Sequence, residues 1–336
     1  MLKTVAFWSV ILLPAVIACA LVLLIATATY EILIIRDAEA YARAIVPFQK
    51  LARHLHERHR SIWQAQSHCI VFDEVLFYKP RPGKCEFKNL EYSTVLTFDG
   101  KGFRQTSPPV RQDDDRLHRG RVIVLGDSQA MGWGVQDEET FASVLAAEHG
   151  FEAFNLAVSS YGTARELLRL RKEFDLQNGD IVVVQYHHND LSENLAFLKS
   201  GGLRSRSPSD LGLLAHTPQS FEVMQVSRSI ALFLWDKLNR TLFSNSDRKN
   251  PAETFLAVID HFPELAQARV VVCEVPSYGQ TTSFTGDLER LTKDRGRMTV
   301  LKPVWETSDF YRLDEHLNAI GHRKLAHLIA STILSS

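Results

Sequence analysis

Three side chains of this sequence have the chemistry of a serine nucleophile with its base. Ser128 ends a Gly-Asp-Ser tripeptide, and Asp314 and His316 form an Asp-x-His pair near the C-terminus. A serine hydroxyl is a poor nucleophile until a neighbouring imidazole accepts its proton, and a carboxylate must hold the other imidazole nitrogen. These residue types predict acyl chemistry at Ser128. The tripeptide alone is more simply explained as a turn, so the prediction depends on the elements around it.

The sequence around Ser128 predicts a strand before it and a helix after it. Residues 121–125 form a short β-branched run that is typical of a buried parallel strand, and residues 137–145 begin an amphipathic helix. Open α/β sheets place their ligand sites at the carboxyl ends of such strands. Strand-like runs then alternate with helical ones, which predicts a parallel sheet covered by helices on both faces. The strand-like runs are residues 122–125, 153–158, 181–186, 269–275 and 298–301.

Four separated motifs fall just beyond a strand or just before the last helix. They are Gly126-Asp-Ser128, residues 155–162, His187-His-Asn-Asp190 and Asp314-Glu-His316. In this order they resemble the motifs of the SGNH hydrolase superfamily, also called GDSL esterases and lipases. The resemblance covers residues 118–336, and its first motif is similar to that of membrane-anchored bacterial members. It implies a three-layer, flavodoxin-like α/β domain and a serine ester hydrolase, and we expect no cofactor.

The resemblance also implies the parts of a catalytic triad. Ser128 would be the nucleophile, His316 the base and Asp314 the carboxylate that orients the base. The superfamily more often has Asp-x-x-His than Asp-x-His. Asp309 and Glu315 therefore remain alternatives for the carboxylate.

An oxyanion hole is implied in the same way. Its donors would be the backbone N–H groups of Ser128 and Ser160 and the side-chain amide of Asn189. Ser160 stands where the superfamily usually has glycine, so the close approach of the backbone is less comfortable there.

Other polar and aromatic residues near the motifs receive more modest interpretations. We expect supporting roles from Asp127, Asn155 and Asp190. No metal is expected at His187-His188, because adjacent residues on an extended segment point to opposite faces. No further Cys/His cluster with zinc spacing accompanies the pair. Trp133 and Tyr161 are either pocket-lining residues or part of the packing.

The N-terminus predicts a membrane anchor over residues 1–29. Residues 5–28 carry no charge, and about 24 helical residues span about 36 Å, enough for a hydrocarbon core of about 30 Å. Lipidation at Cys19 is the alternative, although the apolar run continues well beyond it. Lys3 lies on one side and Arg36 and Arg43 on the other, so the charges do not decide the orientation.

The rest of the chain divides into three predicted segments. Residues 30–67 are expected to form a helical stalk, interrupted at most by Pro47, and residues 68–118 a small strand-rich lead-in ending in a charged link at 112–116. Residues 119–336 would be the catalytic domain. Within it, a Gly/Ser/Arg-rich loop at 200–218 and a helix-prone stretch at 221–242 form an insertion that is either a lid or an inert surface excursion.

Composition and cysteines limit the partners and the compartment. The 336 residues are 45% hydrophobic and 23% charged, a composition typical of a globular protein. The net charge of −1 gives no indication of a basic surface for nucleic acid. Cys69 and Cys85 either close a disulfide, which implies an oxidising compartment, or remain two thiols. The apolar N-terminus and the family resemblance together imply a single-pass membrane protein with its hydrolase domain on the periplasmic side, acting on an O-acyl ester of a carbohydrate or lipid. An O-acyltransferase of an envelope polysaccharide and a non-catalytic polysaccharide-assembly protein are the alternatives, and the sequence indicates neither the acyl chain nor the oligomeric state.

Overall fold

The structure is a computed structural model that describes residues 2–107, 119–216, 218, 220–243, 249–277, 279–280 and 282–335. Side chains are described in the same ranges except at 2–13 and 240–243. The predicted charged link at 112–116 lies outside the described residues.

Helices and strands follow one another along the chain and are numbered in chain order. The helices are α1 (Leu2–Arg36), α2 (Ala38–Arg43), α3 (Val46–His59), α4 (Ser128–Met131), α5 (Phe141–His149), α6 (Thr163–Glu173), α7 (Asp190–Ser200), α8 (Val223–Phe243), α9 (Pro251–Ile259), α10 (Phe284–Leu291) and α11 (Ala319–Leu334). The strands are β1 (Ile70–Asp73), β2 (Phe77–Pro80), β3 (Gly83–Lys88), β4 (Ser93–Phe98), β5 (Arg121–Leu125), β6 (Glu152–Asn155), β7 (Ile181–Tyr186), β8 (Arg269–Glu274) and β9 (Met298–Val300).

The chain forms two compact units. The helical unit comprises Met1–Arg60 and Thr217–Asp247, and the sheet unit comprises Ser61–His216 and Arg248–Ser336. Each unit is therefore built from two separate stretches of sequence.

The sheet unit contains a parallel sheet, which confirms the predicted fold class. In the described part of the chain it has five strands in the order β6-β5-β7-β8-β9, all parallel. Counted along the chain, this is the flavodoxin-like order 2-1-3-4-5. The central strand β7 is buried at all of its positions, as expected for a strand that is covered on both faces.

The strand order places a switch point between β5 and β7. The chain leaves β5 for its neighbour β6 on one side and then crosses to β7 on the other side. Open α/β sheets bind ligands in the crevice outside the carboxyl ends of the strands at such a point. Ser128 lies three residues beyond the end of β5, and Asn189 lies three residues beyond the end of β7.

Two antiparallel hairpins, β1–β2 and β3–β4, precede the parallel sheet. A disulfide joins Cys69 to Cys85, with 5.4 Å between the Cα atoms, and so connects the two hairpins. Trp63 and Phe87 from this region are buried in the same apolar cluster as Val122 of β5. The lead-in is thus part of the sheet unit's core.

In the helical unit, α1 runs without a break through the expected boundary at residue 29. Its segment Pro14–Arg36, with a mean hydropathy of 2.3, is long and apolar enough to cross a membrane. Within this unit α1 packs against α3 and α8.

The helical stretch after the anchor breaks where no break was expected. Asp37 ends α1 and caps α2, because its carboxylate accepts hydrogen bonds from the N–H groups of Glu39 and Ala40. Ala44 and Ile45 are extended, and Pro47 lies in the first turn of α3. A proline is tolerated in a first turn because its missing N–H would have no helical partner there. Pro47 therefore begins a helix instead of interrupting one.

Candidate active site

Ser128 is the first residue of α4, at a tight turn after β5. Gly126 has a φ of 150°, and a Cβ on it would lie 2.6 Å from both Ala130 Cβ and Gln185 Oε1, so only glycine fits there. The next residue, Asp127, caps the helix by accepting a hydrogen bond from Gln129 N at 2.9 Å. Gly-Asp-Ser thus places the serine hydroxyl at the rim of the sheet.

The structure brings Ser128, His316 and Asp314 into one hydrogen-bonded row. His316 Nε2 lies 2.7 Å from Ser128 Oγ, and His316 Nδ1 lies 2.5 Å from Asp314 Oδ1. The carboxylate and the imidazole are 1% and 6% exposed, so the row is shielded from water except at its serine end. The geometry allows His316 to accept the serine proton while Asp314 holds the second imidazole nitrogen.

The alternative carboxylates have other surroundings. Asp309 accepts a hydrogen bond from Lys324 Nζ at 2.7 Å and another from Glu306 N. Glu315 is held through its carbonyl oxygen, which accepts a hydrogen bond from the Gln129 side chain at 2.9 Å. Asp314 is the carboxylate on the imidazole.

The second oxygen of Asp314 and the face of His316 are both occupied by aromatic residues. Tyr92 OH donates to Asp314 Oδ2 at 2.7 Å, and Trp133 Nε1 lies 3.2 Å from the same oxygen. The Trp133 ring stacks on the His316 ring, with centroids 4.8 Å apart and planes 9° apart. Trp133 was expected either to line a pocket or to take part in packing. The structure supports packing, because its ring stacks on His316.

Gln129 connects the turn at residues 126–128, called here the serine turn, to the loop at residues 312–317 that carries His316, called here the base loop. Its side-chain N–H donates to Glu315 O at 2.9 Å, and its Oε1 accepts from Leu317 N at 3.0 Å. These two backbone groups flank His316, so one buried amide fixes the loop on both sides of the imidazole. Sequence reasoning missed this residue, because a glutamine after the nucleophile carries no pattern of its own.

Glu91 holds the base loop from the other side. Its carboxylate accepts hydrogen bonds from the backbone N–H groups of Arg312, Leu313 and Asp314, at 3.0, 2.7 and 3.0 Å. Burial raises the pKa of Glu91, although the N–H groups of Leu313 and Asp314 oppose this effect. Glu91 and Tyr92 both come from the turn of the β3–β4 hairpin, where no motif predicted a role.

The expected oxyanion donors lie on the loops that border the switch point. Asn189 precedes α7, and its amide donates to Asp127 Oδ2 at 3.2 Å, on the residue before Ser128. Val158 N donates to Gly126 O at 3.0 Å, which ties the second motif to the serine turn. Ser160 follows two residues later.

Ser160 has a backbone conformation that is unusual for a residue other than glycine. Its φ is 62°, in the left-handed region that favours glycine. Its Oγ accepts a hydrogen bond from Gln64 Nε2 at 2.8 Å, while Ser159 Oγ donates to Gln64 Oε1 at 2.9 Å. Gln64 thus holds both hydroxyls of a strained turn.

Two buried polar residues hold the segment after Ser128. Asn155 donates to Ala130 O at 3.0 Å from its side-chain amide. Arg104, 1% exposed, donates to the carbonyl oxygens of Met131 at 2.8 Å and Val135 at 2.6 Å. Asn155, for which a supporting role was expected, and Arg104, for which none was expected, both donate hydrogen bonds to the backbone of this segment.

Two carboxyl groups, Glu166 of α6 and Asp190 at the start of α7, are buried next to the site. Asp190 Oδ2 accepts from Thr163 Oγ1 at 3.1 Å, but within the described part of the chain Asp190 Oδ1 and both oxygens of Glu166 have no hydrogen-bond partner. Burial, followed by the neighbouring carboxylates including Asp127, raises the pKa of both groups well above the ordinary range. These effects favour the protonated, uncharged form of each carboxyl group.

Comparisons with known proteins give solved structures only. No family model matches the chain, and no curated protein matches it. The chain is similar to a protein described as a lipolytic protein of the G-D-S-L family from Desulfitobacterium hafniense (13% identity, TM-score 0.39, 63% of this chain and 98% of that chain). It is also similar to a family two carbohydrate esterase from Clostridium thermocellum (12%, 0.39, 65% and 64%) and to phospholipase A1 from Streptomyces albidoflavus (13%, 0.34, 63% and 98%).

Proposed function

We propose that this chain is a serine ester hydrolase of the SGNH type that acts through an acyl-enzyme on an O-acyl ester. The observation that carries the proposal is the row from Ser128 Oγ to His316 Nε2, at 2.7 Å, and on to Asp314. A nucleophile, a base and an orienting carboxylate in hydrogen-bond reach are the arrangement that acyl transfer needs.

The reaction follows from the positions of these groups. His316 Nε2 accepts the proton of Ser128 as Oγ attacks the ester carbonyl, and the resulting imidazolium is stabilised by Asp314. The negative oxygen of the tetrahedral intermediate is met by the N–H groups of Ser128 and Ser160 and by the Asn189 amide. The imidazolium then protonates the leaving alcohol, which leaves an acyl group on Ser128. Water, deprotonated by His316, attacks that acyl group and releases the acid and the free serine.

The cellular location belongs to the same proposal. The segment Pro14–Arg36 has the length and hydropathy of a membrane anchor, and the Cys69–Cys85 disulfide requires an oxidising compartment to persist. We infer a single-pass protein with its sheet unit on the extracytoplasmic side. Labelling of a Ser331→Cys variant with a membrane-impermeant maleimide in intact cells tests the orientation, because this exposed position of the sheet unit reacts without lysis only if it lies outside the cytoplasm.

Hydrolysis of p-nitrophenyl acetate by the full chain in detergent micelles tests the activity. We expect the Ser128→Ala variant to lose at least about a thousandfold in kcat, while Ser331→Ala, an exposed serine on α11, keeps the wild-type rate. A fluorophosphonate probe should label Ser128 alone. Equal rates for wild type and Ser128→Ala would leave a non-catalytic binding protein as the better interpretation.

Transfer and hydrolysis differ only in the second nucleophile. If an acetyl donor and an oligosaccharide acceptor yield acetylated oligosaccharide in preference to acetate, the chain is an O-acyltransferase that uses the same residues. If acetate predominates, it is a hydrolase.

A further inference from the structure

A cavity of about 410 Å³ opens at the carboxyl end of β8 in the sheet unit. Thirteen described residues line it, and eight of them have polar side chains, including Glu274, Lys302 and Glu306. Its volume is in the range of small-ligand sites. Ser128, His316 and Asp314 are not among the lining residues, so the reaction above leaves the cavity without a role.

The cavity borders both loops that build the candidate active site. Ser277 in its lining has its Oγ 3.4 Å from Nδ1 of His188, the neighbour of Asn189. Phe310 in its lining pairs through the backbone with Leu317, the residue after His316. The cavity therefore lies next to the loop that carries Asn189 and next to the loop that carries His316.

Trp305 forms a fixed aromatic wall of the cavity. Its indole N–H donates to the carbonyl oxygen of Glu274 at 3.2 Å, and its ring packs edge-on against Phe310, with centroids 5.8 Å apart. The side chain is only partly buried, so part of the ring remains available to a ligand. A rigid aromatic surface with its polar end satisfied can bind a flat apolar face at little entropic cost.

Charged groups around that wall oppose a hydrocarbon ligand. Glu274, at the end of β8, is 4% exposed, and Thr282 Oγ1 donates to its Oε2 at 2.5 Å. Lys302 and Glu306 line the same space. An acyl chain lying there would remove Lys302 and Glu306, whose side chains are 49% and 71% exposed, from water without giving them new partners, which is costly. A ligand with hydroxyl groups would replace the lost water.

We propose that the cavity binds the carbohydrate part of the ester substrate. In this arrangement Trp305 stacks on the C–H face of a sugar ring, and Glu274 and Glu306 accept hydrogen bonds from its hydroxyl groups. This inference rests on the proposed ester hydrolysis at Ser128 and chooses the carbohydrate ester over the lipid ester.

A binding experiment tests the cavity without catalysis. The probe is methyl 6-O-acetylglucoside, titrated by calorimetry into the full-length Ser128→Ala chain in detergent micelles. We expect Trp305→Ala in this background to weaken binding about tenfold or more, and Trp305→Phe, which keeps an aromatic face, to retain most of the affinity. Val304→Ala is the matched control, because its side chain is 76% exposed and does not line the cavity. Equal binding by the Trp305→Ala and control variants would overturn the inference.

A kinetic experiment separates this inference from the proposed function. With Ser128 intact, Trp305→Ala and Glu274→Gln should raise KM for the sugar ester about tenfold, and they should lower kcat/KM for the sugar ester about tenfold more than kcat/KM for p-nitrophenyl acetate. The carbohydrate site alone would be overturned if hydrolysis at Ser128 is faster with p-nitrophenyl laurate than with the sugar ester and is unchanged in Trp305→Ala. Absence of any hydrolysis, with sugar binding that still depends on Trp305, would overturn the hydrolase alone.

Discussion

The indole of Trp133 lies face to face with the imidazole of His316, and its N–H is 2.5 Å from Tyr92 OH and 3.2 Å from the Asp314 carboxylate oxygen. One side chain therefore contacts two members of the row that ends at Ser128. Gln129 and Glu91 hold the backbone of the base loop, and the plane of the imidazole ring is restrained separately. The stacked indole supplies that restraint.

Replacement of Trp133 should lower turnover without abolishing substrate binding. We expect Trp133→Phe, which keeps a ring face but loses the N–H, to lower kcat about tenfold, and Trp133→Leu to lower it further, with KM within about twofold. Steady-state kinetics with p-nitrophenyl acetate measure both constants. Trp235→Phe, an exposed tryptophan of the helical unit, is the control. Unchanged kcat in Trp133→Leu would mean that the stack has no role in positioning His316.

Removal of the Asn189 amide should weaken only the stabilisation of the oxyanion. We predict that Asn189→Ala lowers kcat by roughly 100- to 1000-fold, the usual loss for one donor of this kind, with an intact fold. The melting temperature checks the fold, and Asn239→Ala on α8 serves as the control. A fully active Asn189→Ala variant would remove this residue from the mechanism.

Gln129 should act on the rate through the base loop. Gln129→Glu keeps the acceptor for Leu317 N but loses the donor to Glu315 O, so we expect kcat to fall about tenfold. Gln129→Ala loses both bonds and should fall further and melt at a lower temperature. The exposed Gln177→Ala is the control. If kcat is unchanged and only the melting temperature falls, the clamp stabilises the fold and does not position the base.

Gln64 and Ser160 should prove coupled. Ser160→Gly removes a left-handed serine, a strain of about 1 kcal/mol, and keeps the backbone N–H, so activity should stay within about twofold and stability should not fall. Gln64→Ala should lower kcat in the Ser160 background by several-fold, because the turn loses its tether. The same change should cost less in the Ser160→Gly background, and a double-mutant cycle measures the difference. Additive effects would show that Gln64 does not act through this turn.

Glu166 should make stability fall as the pH rises. Its folded-state pKa is raised well above the ordinary value of 4.5, mainly by burial. Between those two values the folded chain retains a proton that the unfolded chain has lost, so unfolding becomes easier with increasing pH. Glu166→Gln, which carries no charge at any pH, should therefore raise the melting temperature at pH 8 and leave it nearly unchanged at pH 4. Glu152→Gln on the partly exposed β6 is the control, and equal shifts at both pH values would contradict the assignment.

The sheet and the reactive groups could be predicted because their patterns are local. The β-branched run of β7 predicts a buried strand from its own residues, and a glycine such as Gly126 marks a turn that other residues cannot make. Asp314 and His316 are close in sequence, so their pairing needs only one loop.

The supports of the site could not be predicted in the same way. Tyr92, Glu91 and Gln64 reach the site from segments far away in the chain, and no periodicity in their own segments marks them. Ser160 has a left-handed backbone and a hydrogen bond to Gln64, a contact that only the folded chain brings about. The breaks of the stalk at Asp37 and Ile45 were missed because a capping carboxylate and a first-turn proline can read as ordinary helix residues.

The insertion at 217–247 limits how the sheet unit can be separated from the membrane anchor. Its helix α8 packs with α1 and α3, so the polypeptide passes between the two units at three places, after residues 60, 216 and 247. Cutting only behind the anchor would leave α8 without those neighbours, with Leu234 and Trp235 already more than half exposed. A well-behaved fragment would need a second cut and a short splice in place of α8.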